Sequence, residues 1–177
     1  MGELRTARLR LLPLDERHVP LIHDMSVDPE VRRYLWEDRI IPVQQVQEMV
    51  LDSQHCFTKY GTGFYAMYLN LKDDPSDGAF VGFCGHRVFE KGEDMELLFG
   101  MQTKFWGRGF GGEAAREVLR HGFEDCGISQ VIAATDTPNQ RSVRVLQKLG
   151  MSFRERREWH GLDTVFYELD ASEFSEL

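Results

Sequence analysis

The stretch from residue 95 to residue 112, MELLFGMQTKFWGRGFGG, constrains the fold of this chain more than any other. It joins an apolar segment with one acidic residue, Glu96, to a turn that holds four glycines, and an amphipathic run (113–126) follows at once. This pattern predicts a strand, a glycine turn and a helix. Glycines let the backbone of such a turn approach a ligand closely, and N–H groups at a helix N-terminus favour anions. Together with the charge of Arg108, the turn predicts a site for a phosphate-bearing cofactor at residues 107–113.

Two kinds of cofactor compete for this turn. Gly107, Gly109 and Gly112 fit the G-x-G-x-x-G pattern of dinucleotide-binding folds, and Asp136 follows the next predicted strand, near the position of a ribose-binding acid. A dinucleotide fold needs several strand–helix–strand units, however, and too few residues remain after Val131 to supply them. The residues before the turn show closely spaced strand-like runs instead. An NAD(P)-binding oxidoreductase is therefore the weaker interpretation.

Length and charge limit the classes of partner. A chain of 177 residues is long enough to bury a substantial core, and we expect one domain over residues 1–177. The net charge of −8 argues against nucleic acid as a partner, because non-specific binding needs a basic face. An acidic surface could attract cationic amines, although it also serves solubility.

Cysteine and histidine usage bears on compartment and metal content. The three cysteines are scattered and odd in number, which predicts no disulfide framework and a reducing, cytoplasmic compartment. The six histidines show no metal-ligand spacing, so we expect no metal. We also expect neither a signal peptide nor a membrane partner, because no apolar run reaches membrane-spanning length.

The remaining elements follow from periodicity, capping residues and glycine stops. We expect Asp28 to cap a helix that begins near Pro29, and Asp136 or Thr137 to cap the helix that follows the strand at 131–134. Further strands are predicted at 4–14, 64–69 and 80–89, helices at 15–23 and 42–60, and a hairpin within 152–169.

Three motifs follow one another in the chain: MELLFGM (95–101), FWGRGFGGEA (105–114) and TPNQRSVRVLQKLGM (137–151). Together they resemble the GNAT superfamily of N-acetyltransferases, specifically the branch of the ribosomal-protein N-terminal acetyltransferases. Residues 106–114 match the W-G-x-G-[YF]-[AG]-x-E-A pattern of the branch, 139–142 match its N-x-x-S and 149–151 match its L-G-[FM]. MELLFGM resembles the A-E-[IL]-x-[YF] strand of the branch, and order and spacing agree over nearly the whole chain.

The resemblance implies a fold and a reaction. The fold class is mixed α/β, with a central, mostly antiparallel sheet that is split where the cofactor enters. The reaction is direct transfer of an acetyl group from acetyl-CoA to a primary amine, either a protein N-terminal α-amine or a small amine, by a monomer or a homodimer. A non-catalytic acyl-CoA-binding protein remains the alternative within this fold.

The resemblance also assigns cofactor-binding residues. The pantetheine arm would bond the main chain of Phe99, Gly100, Met101 and Gln102, and small Gly100 would leave room for the thioester. The phosphates would bind backbone N–H groups in the turn, which comprises Arg108, Gly109, Phe110, Gly111 and Gly112. Asn139 would hold the pantetheine arm through its side chain, and Ser142 would lie near the cofactor sulfur.

Catalytic and acceptor residues follow from the same comparison. Glu96 is flanked by apolar residues, which raise the pKa of a carboxylate and suit it as a general base, and it occupies the acidic position of the strand in the family. Leu146 stands where many members place a tyrosine acid, so Ser142 is the nearest substitute donor. Trp36 and Glu37 lie in the region that lines the acceptor side in the family, which makes them candidates for holding the amine.

Overall fold

An eight-stranded mixed sheet forms the centre of the protein, which a computed structural model describes for residues 2–72, 74–90, 92 and 94–174. The spatial order of the strands is β1-β2-β3-β4-β5-β6-β8-β7. The strands are β1 (Leu4–Arg5), β2 (Leu9–Pro13), β3 (Phe64–Leu69), β4 (Phe80–Val88), β5 (Met95–Met101), β6 (Gln130–Asp136), β7 (Ser152–Trp159) and β8 (Leu162–Asp170).

Five α-helices accompany the sheet within the described ranges. They are α1 (Val19–Ser26), α2 (Pro29–Leu35), α3 (Val43–Tyr60), α4 (Phe110–Arg120) and α5 (Gln140–Lys148). Short 3-10 turns precede α1 and follow β5, and a π-helical turn (His121–Asp125) extends α4. None of the helices in the described part of the chain is long and apolar enough to cross a bilayer.

Most elements lie where the sequence predicts them, and the exceptions have local causes. The single strand expected at 4–14 is two antiparallel strands, because the chain turns between Arg5 and Leu9. Asp28 caps α2 through the amide of Glu30, as expected. The expected cap of α5 by Asp136 or Thr137 is wrong, because β6 continues to Asp136 by pairing with β8, and Asn139 is the N-cap.

The sheet is antiparallel except where β5 meets β6. These two strands pair in parallel over only two residue pairs, Met95 with Val131 and Glu96 with Ile132. Beyond Glu96, β5 keeps its antiparallel partner β4 as far as Met101, while β6 continues alongside β8. The two strands therefore diverge and leave a wedge-shaped gap in the middle of the sheet. This gap, called the wedge below, lies between residues 97–101 of β5 and 133–136 of β6. Since a dinucleotide fold needs several parallel strands, this topology gives the NAD(P) interpretation no support.

The strands separate two core layers because their side chains alternate between the faces of the sheet. Leu97 packs with α4 residues on one face, in the larger core cluster. Leu98 and Phe83 pack on the opposite face with α1, α2 and α3. Glu96 shares this second face, since it is the neighbour of Leu97 along β5. His86, on β4, is fully buried.

Gly82 controls how closely β4 and the diverging end of β5 approach each other. A Cβ atom at Gly82 would lie 2.1 Å from the carbonyl oxygen of Gly100 and 2.7 Å from the Cα of Met101, both backbone atoms. We expect Gly82→Ala to lower the free energy of unfolding by at least about 2 kcal/mol, because the strands must move apart. Denaturant unfolding measures this loss.

Gly78→Ala is the matched control for that substitution. Both glycines have a positive φ, 155° at Gly82 and 75° at Gly78. A Cβ at Gly78 would meet nothing within 4 Å, so this variant reports backbone strain without steric overlap. Equal stability losses in the two variants would show that close approach of the strands is not what Gly82 provides.

Candidate active site

The main chain of β5 lines one side of the wedge. The amide of Gln102 donates to the carbonyl of Val81 on β4, at 2.9 Å. Because successive N–H groups of a strand point to opposite sides, the Gly100 amide also points toward β4, whereas those of Phe99 and Met101 point into the wedge. The carbonyl of Met101 accepts a hydrogen bond from the Trp106 indole at 3.0 Å. Of the four residues with predicted main-chain contacts, Phe99 and Met101 direct their amides into the wedge. The amides of Gly100 and Gln102 point toward β4, so no amide of these two residues faces the wedge.

Gly100 is small for a reason other than the predicted one. A Cβ atom at this position would lie 2.9 Å from Leu35 of α2 and 2.9 Å from Phe83 of β4. The space beside Gly100 is therefore filled by protein side chains, and the glycine lets α2 pack directly on β5. Because Gly100 has no side chain, α2, which precedes Trp36 and Glu37, can lie against β5.

The glycine turn has the backbone conformation that its sequence predicts. Gly107 and Gly109 have φ values of 76° and 81°, in the left-handed region that glycine adopts without strain. Gly109 is the N-cap of α4 and, having no side chain, supplies no side-chain hydrogen bond to the first-turn amides. These amides have no intrahelical acceptor, so the turn presents N–H donors and the positive end of the helix dipole.

Basic side chains surround this turn although the chain carries a net charge of −8. The Arg8 guanidinium lies 4.6 Å from the centre of the Phe110 ring, and that of Arg108 lies 4.9 Å from the same ring. Arg141, from the first turn of α5, lies 4.8 Å from the Trp106 ring. The aromatic residues of the motif thus hold three guanidinium groups near the N-terminus of α4. This placement suits a ligand that carries several phosphate charges.

Arg8 was not among the predicted site residues. Its guanidinium forms an ion pair with Glu113 at 2.7 Å and donates to the Arg108 carbonyl at 3.0 Å. Thr6 donates to the same carboxylate at 2.5 Å. These contacts tie the turn between β1 and β2 to the first turn of α4. No local pattern could reveal them, because the partners lie about a hundred positions apart in the chain.

Glu96 lies at the narrow end of the wedge and is almost completely buried, with 1% of its surface exposed. Its carboxylate accepts a hydrogen bond of 2.5 Å from the Arg87 guanidinium, directly across on β4. Burial raises the pKa of Glu96, although the charge of Arg87 opposes that shift. The predicted apolar environment of Glu96 is confirmed by this burial. Its engagement with Arg87 was not foreseen.

Asn139 and Ser142 meet at the start of α5. The Asn139 side-chain oxygen accepts a hydrogen bond from the Ser142 amide at 3.3 Å, which is the capping interaction of the helix. The side-chain NH₂ group of Asn139 takes no part in this bond and remains the group that could donate to a pantetheine carbonyl. Leu146, at the position of the missing tyrosine, is buried in the larger core cluster and contributes no proton donor.

Trp36 and Glu37 differ from each other in environment. The Trp36 indole is partly buried and donates to the Ser26 hydroxyl at 2.9 Å, so its polar atom is already used inside the protein. Glu37 is exposed, has a φ of 54° and pairs with Arg39 at 3.1 Å. Burial raises the pKa of Asp136, at the end of β6, and the charge of Glu37 raises it further. Of the two predicted acceptor residues, Glu37 is the one whose charge reaches the wedge.

Asp136 is a further acidic residue at the wedge that the predicted site did not include. It is the last residue of β6, four positions beyond Ile132, the parallel partner of Glu96. Side chains of a strand alternate, so Ile132, Asp136 and Glu96 all lie on the same face of the sheet. The sequence suggested only a helix cap or a ribose ligand for this residue. The pairing of β6 with β8 as far as Asp136, together with the pairing of Ile132 with Glu96, places its side chain on that face.

A family model described as an acetyltransferase (GNAT) domain matches residues 8–152. The chain is a member of the GNAT acetyltransferase family. Members of this family transfer an acetyl group from acetyl-CoA. Within the described residues, no cluster of three or more histidine, cysteine or acidic side chains could hold a metal ion.

Individual relatives of this GNAT protein differ in what is known of them. It is 29% identical over 161 residues to the FsC-acetyl coenzyme A-N(2)-transacetylase of Aspergillus fumigatus, covering 86% of this chain and 66% of the fungal protein. It is 28% identical over 162 residues to YkkB, an uncharacterized protein of Bacillus subtilis, covering 89% of this chain and 90% of YkkB.

Solved structures share the fold at lower sequence identity. An acetyltransferase from Agrobacterium tumefaciens superposes with a TM-score of 0.81 at 19% identity, covering 96% of this chain and 94% of the other. RimL, a ribosomal α-N-protein acetyltransferase in complex with coenzyme A, superposes with a TM-score of 0.78 at 15% identity, covering 96% and 98% of the two chains. These similarities confirm the predicted mixed α/β GNAT fold.

The basic side chains around the turn lead to a prediction about cofactor affinity. We expect Arg108→Gln to weaken the binding of CoA about five- to tenfold, because one charged phosphate contact is lost at an exposed position. The dependence of affinity on salt should decrease as well, since fewer charges act on the phosphates. Isothermal titration with CoA at two salt concentrations measures both quantities.

Arg154→Gln serves as the control for this effect. Arg154 is on β7, outside the wedge, and pairs with Asp94 and Glu168. The assignment of the turn as the phosphate site fails if Arg108→Gln binds CoA as tightly as the unmodified protein, or if Arg154→Gln weakens binding to the same extent.

Proposed function

We propose that this protein transfers an acetyl group from acetyl-CoA directly to a primary amine. The observation that carries the proposal is the divergence of β5 and β6 immediately before the glycine turn. The divergence exposes the backbone of β5 on one side, and the glycine turn places anion-binding amides beyond the end of that strand. Acetyl-CoA fits both features, because its pantetheine arm contains amide groups and its nucleotide carries a pyrophosphate.

In this proposal the pantetheine arm lies along β5 and bonds the Phe99 and Met101 main chain as an added strand would. The first-turn amides of α4 and the Arg108 guanidinium bind the pyrophosphate. The Asn139 NH₂ group contacts the arm from α5, and Ser142, beside it, is the proposed proton donor to the departing sulfur. A β5 amide that points into the wedge polarises the thioester carbonyl, as an oxyanion donor does.

The acceptor enters from the face that carries Glu96 and Asp136. Two kinds of primary amine are candidates. RimL, which shares the fold, is named as a ribosomal α-N-protein acetyltransferase, and the fungal relative is named as an N(2)-transacetylase. We favour a protein N-terminal α-amine, on the motifs that resemble the ribosomal-protein branch, with a small amine as the second candidate. The cytoplasm supplies both kinds of acceptor and acetyl-CoA.

Ligand-dependent thermal stability is the first test. A ligand at a hundred times its Kd stabilises the native state by about 2.7 kcal/mol, so acetyl-CoA and CoA should each raise the Tm clearly. NAD and NADP should leave the Tm unchanged. A rise with NAD or NADP alone would overturn the cofactor assignment.

Thiol release from acetyl-CoA then tests the reaction and its acceptor. We expect CoA release with peptides that have a free N-terminus, and none with the same peptides after N-terminal blocking. Small diamines and amino sugars in the same assay report the second candidate. Binding of acetyl-CoA without release for any amine would support a non-catalytic acyl-CoA-binding protein instead.

A further inference from the structure

Asp136 lies at the open end of the wedge. The strands are paired at Ile132, and four residues of strand from there to Asp136 span about 13 Å. The carbonyl of Asp136 accepts the amide of Asn139 at 2.8 Å, so Asp136 adjoins the turn that leads into α5. Glu96, by contrast, lies at the closed end, where β5 and β6 still pair. An acceptor that enters the wedge from solvent meets Asp136 first.

The carboxylates of Glu96 and Asp136 also differ in burial and in their hydrogen-bond partners. Glu96 is 1% exposed and bonded to Arg87 at 2.5 Å. Asp136 is half-buried, and none of the described groups makes a hydrogen bond or ion pair with its carboxylate. A base must reach the proton that it removes and must have a lone pair available for it. On both counts Asp136 is the better placed group.

The charged surroundings of Asp136 favour proton uptake. Burial and the neighbouring carboxylate of Glu37 raise the pKa of Asp136 above its usual range. On the other side, Thr164 of β8 pairs with Asp136, and Arg157 of β7 pairs with Thr164. The Arg157 guanidinium does not reach across; it pairs with Glu155 at 3.2 Å and lies 4.4 Å from the centre of the Phe166 ring. Arg39 is engaged with Glu37.

From this geometry we infer that Asp136, rather than Glu96, is the base that takes the proton of the acceptor ammonium. The inference rests on the proposed acetyl transfer and identifies its catalytic base. Asp136 removes one proton from the ammonium, and the lone pair of the neutral nitrogen forms the N–C bond to the thioester carbonyl carbon. The C–S bond then breaks, the sulfur leaves with a proton from the attacking nitrogen, passed by Ser142 or water, and Asp136 returns its proton to solvent.

In this mechanism Glu96 has a structural role at the start of β5 and takes no proton from the acceptor. Its ion pair with Arg87 bridges β4 and β5 where β5 also pairs with β6. The pair thereby fixes the point from which the wedge opens. A glutamine at position 96 can keep a hydrogen bond to Arg87, whereas an asparagine at position 136 cannot accept a proton from an ammonium.

Steady-state kinetics of four variants distinguish the two carboxylates. We expect Asp136→Asn to lower kcat at neutral pH at least about 100-fold, with Asp136→Glu recovering part of the loss. Glu96→Gln should lose less than about tenfold. Asp163→Asn is the matched control. Asp163 is exposed, pairs with Arg156 and lies one residue from Thr164, the strand partner of Asp136. The kcat of this variant should equal that of the unmodified protein.

The pH dependence provides a signature that a structural defect would not give. With Asp136 as the base, kcat/KM is constant between the pKa of Asp136 and that of the amine. Without it, only amine that has already lost its proton reacts, so kcat/KM of Asp136→Asn should rise about tenfold per pH unit toward the pKa of the amine. The defect therefore shrinks as pH rises. Glu37→Gln removes the like charge that raises the pKa of Asp136, so its acid limb should move to lower pH.

Two results would overturn the assignment. One is a loss of 100-fold or more in Glu96→Gln with Asp136→Asn nearly as active as the control, which would make Glu96 the base. The other is a loss in Asp136→Asn that is the same at every pH, which indicates a structural role. Thermal shifts with acetyl-CoA verify that each variant folds and binds. Failure of the proposed function itself is distinguishable, because the unmodified protein would then release no thiol.

Discussion

Strands β5 and β6 pair over two residues and then diverge, and the arrangement of the site depends on that divergence. A backbone N–H or C=O in a sheet normally has a partner on the neighbouring strand. On the open side of β5, the Phe99 and Met101 amides have lost that partner while the opposite side stays bonded to β4. A ligand with amide groups can supply the missing bonds. Because β4 pairs with β5 as far as Met101, the open edge of β5 is part of the folded protein itself.

The neighbouring elements keep the wedge open and aligned. Gly82 allows β4 to approach the end of β5, and Gly100 allows α2 to lie directly on it, so the strand is fixed from two sides. Arg8 and Thr6 hold the first turn of α4 through Glu113. The amides of the glycine turn therefore stand at a defined position relative to the exposed edge of β5. A flexible turn with the same glycines would not supply that alignment.

Basic and acidic side chains lie on different sides of the wedge, which the net charge of the chain does not show. Arg8, Arg108 and Arg141 gather at the turn, where aromatic rings orient them and a phosphate ligand would need them. Glu96, Asp136 and Glu37 belong to the opposite, acceptor side. A chain with a net charge of −8 thus carries basic side chains at the turn and acidic side chains on the opposite side of the wedge. In the proposed reaction, the first group would serve the phosphates and the second the cationic amine.

The order of the elements along the chain, the conformation of the glycine turn and the family could all be predicted from the sequence. These follow from local properties: hydrophobic periodicity, the dihedral freedom of glycine, and capping residues such as Asp28. The burial of Glu96 was also predictable, from its apolar neighbours. Tertiary structure alone decided which β5 amides face the wedge, what fills the space beside Gly100, and that Glu96 bonds Arg87. It also decided that Asp136 shares the face of Glu96, within reach of the charge of Glu37. Each of these depends on strand register or on contacts between distant segments, and register is set by the packing of the whole sheet rather than by any local pattern.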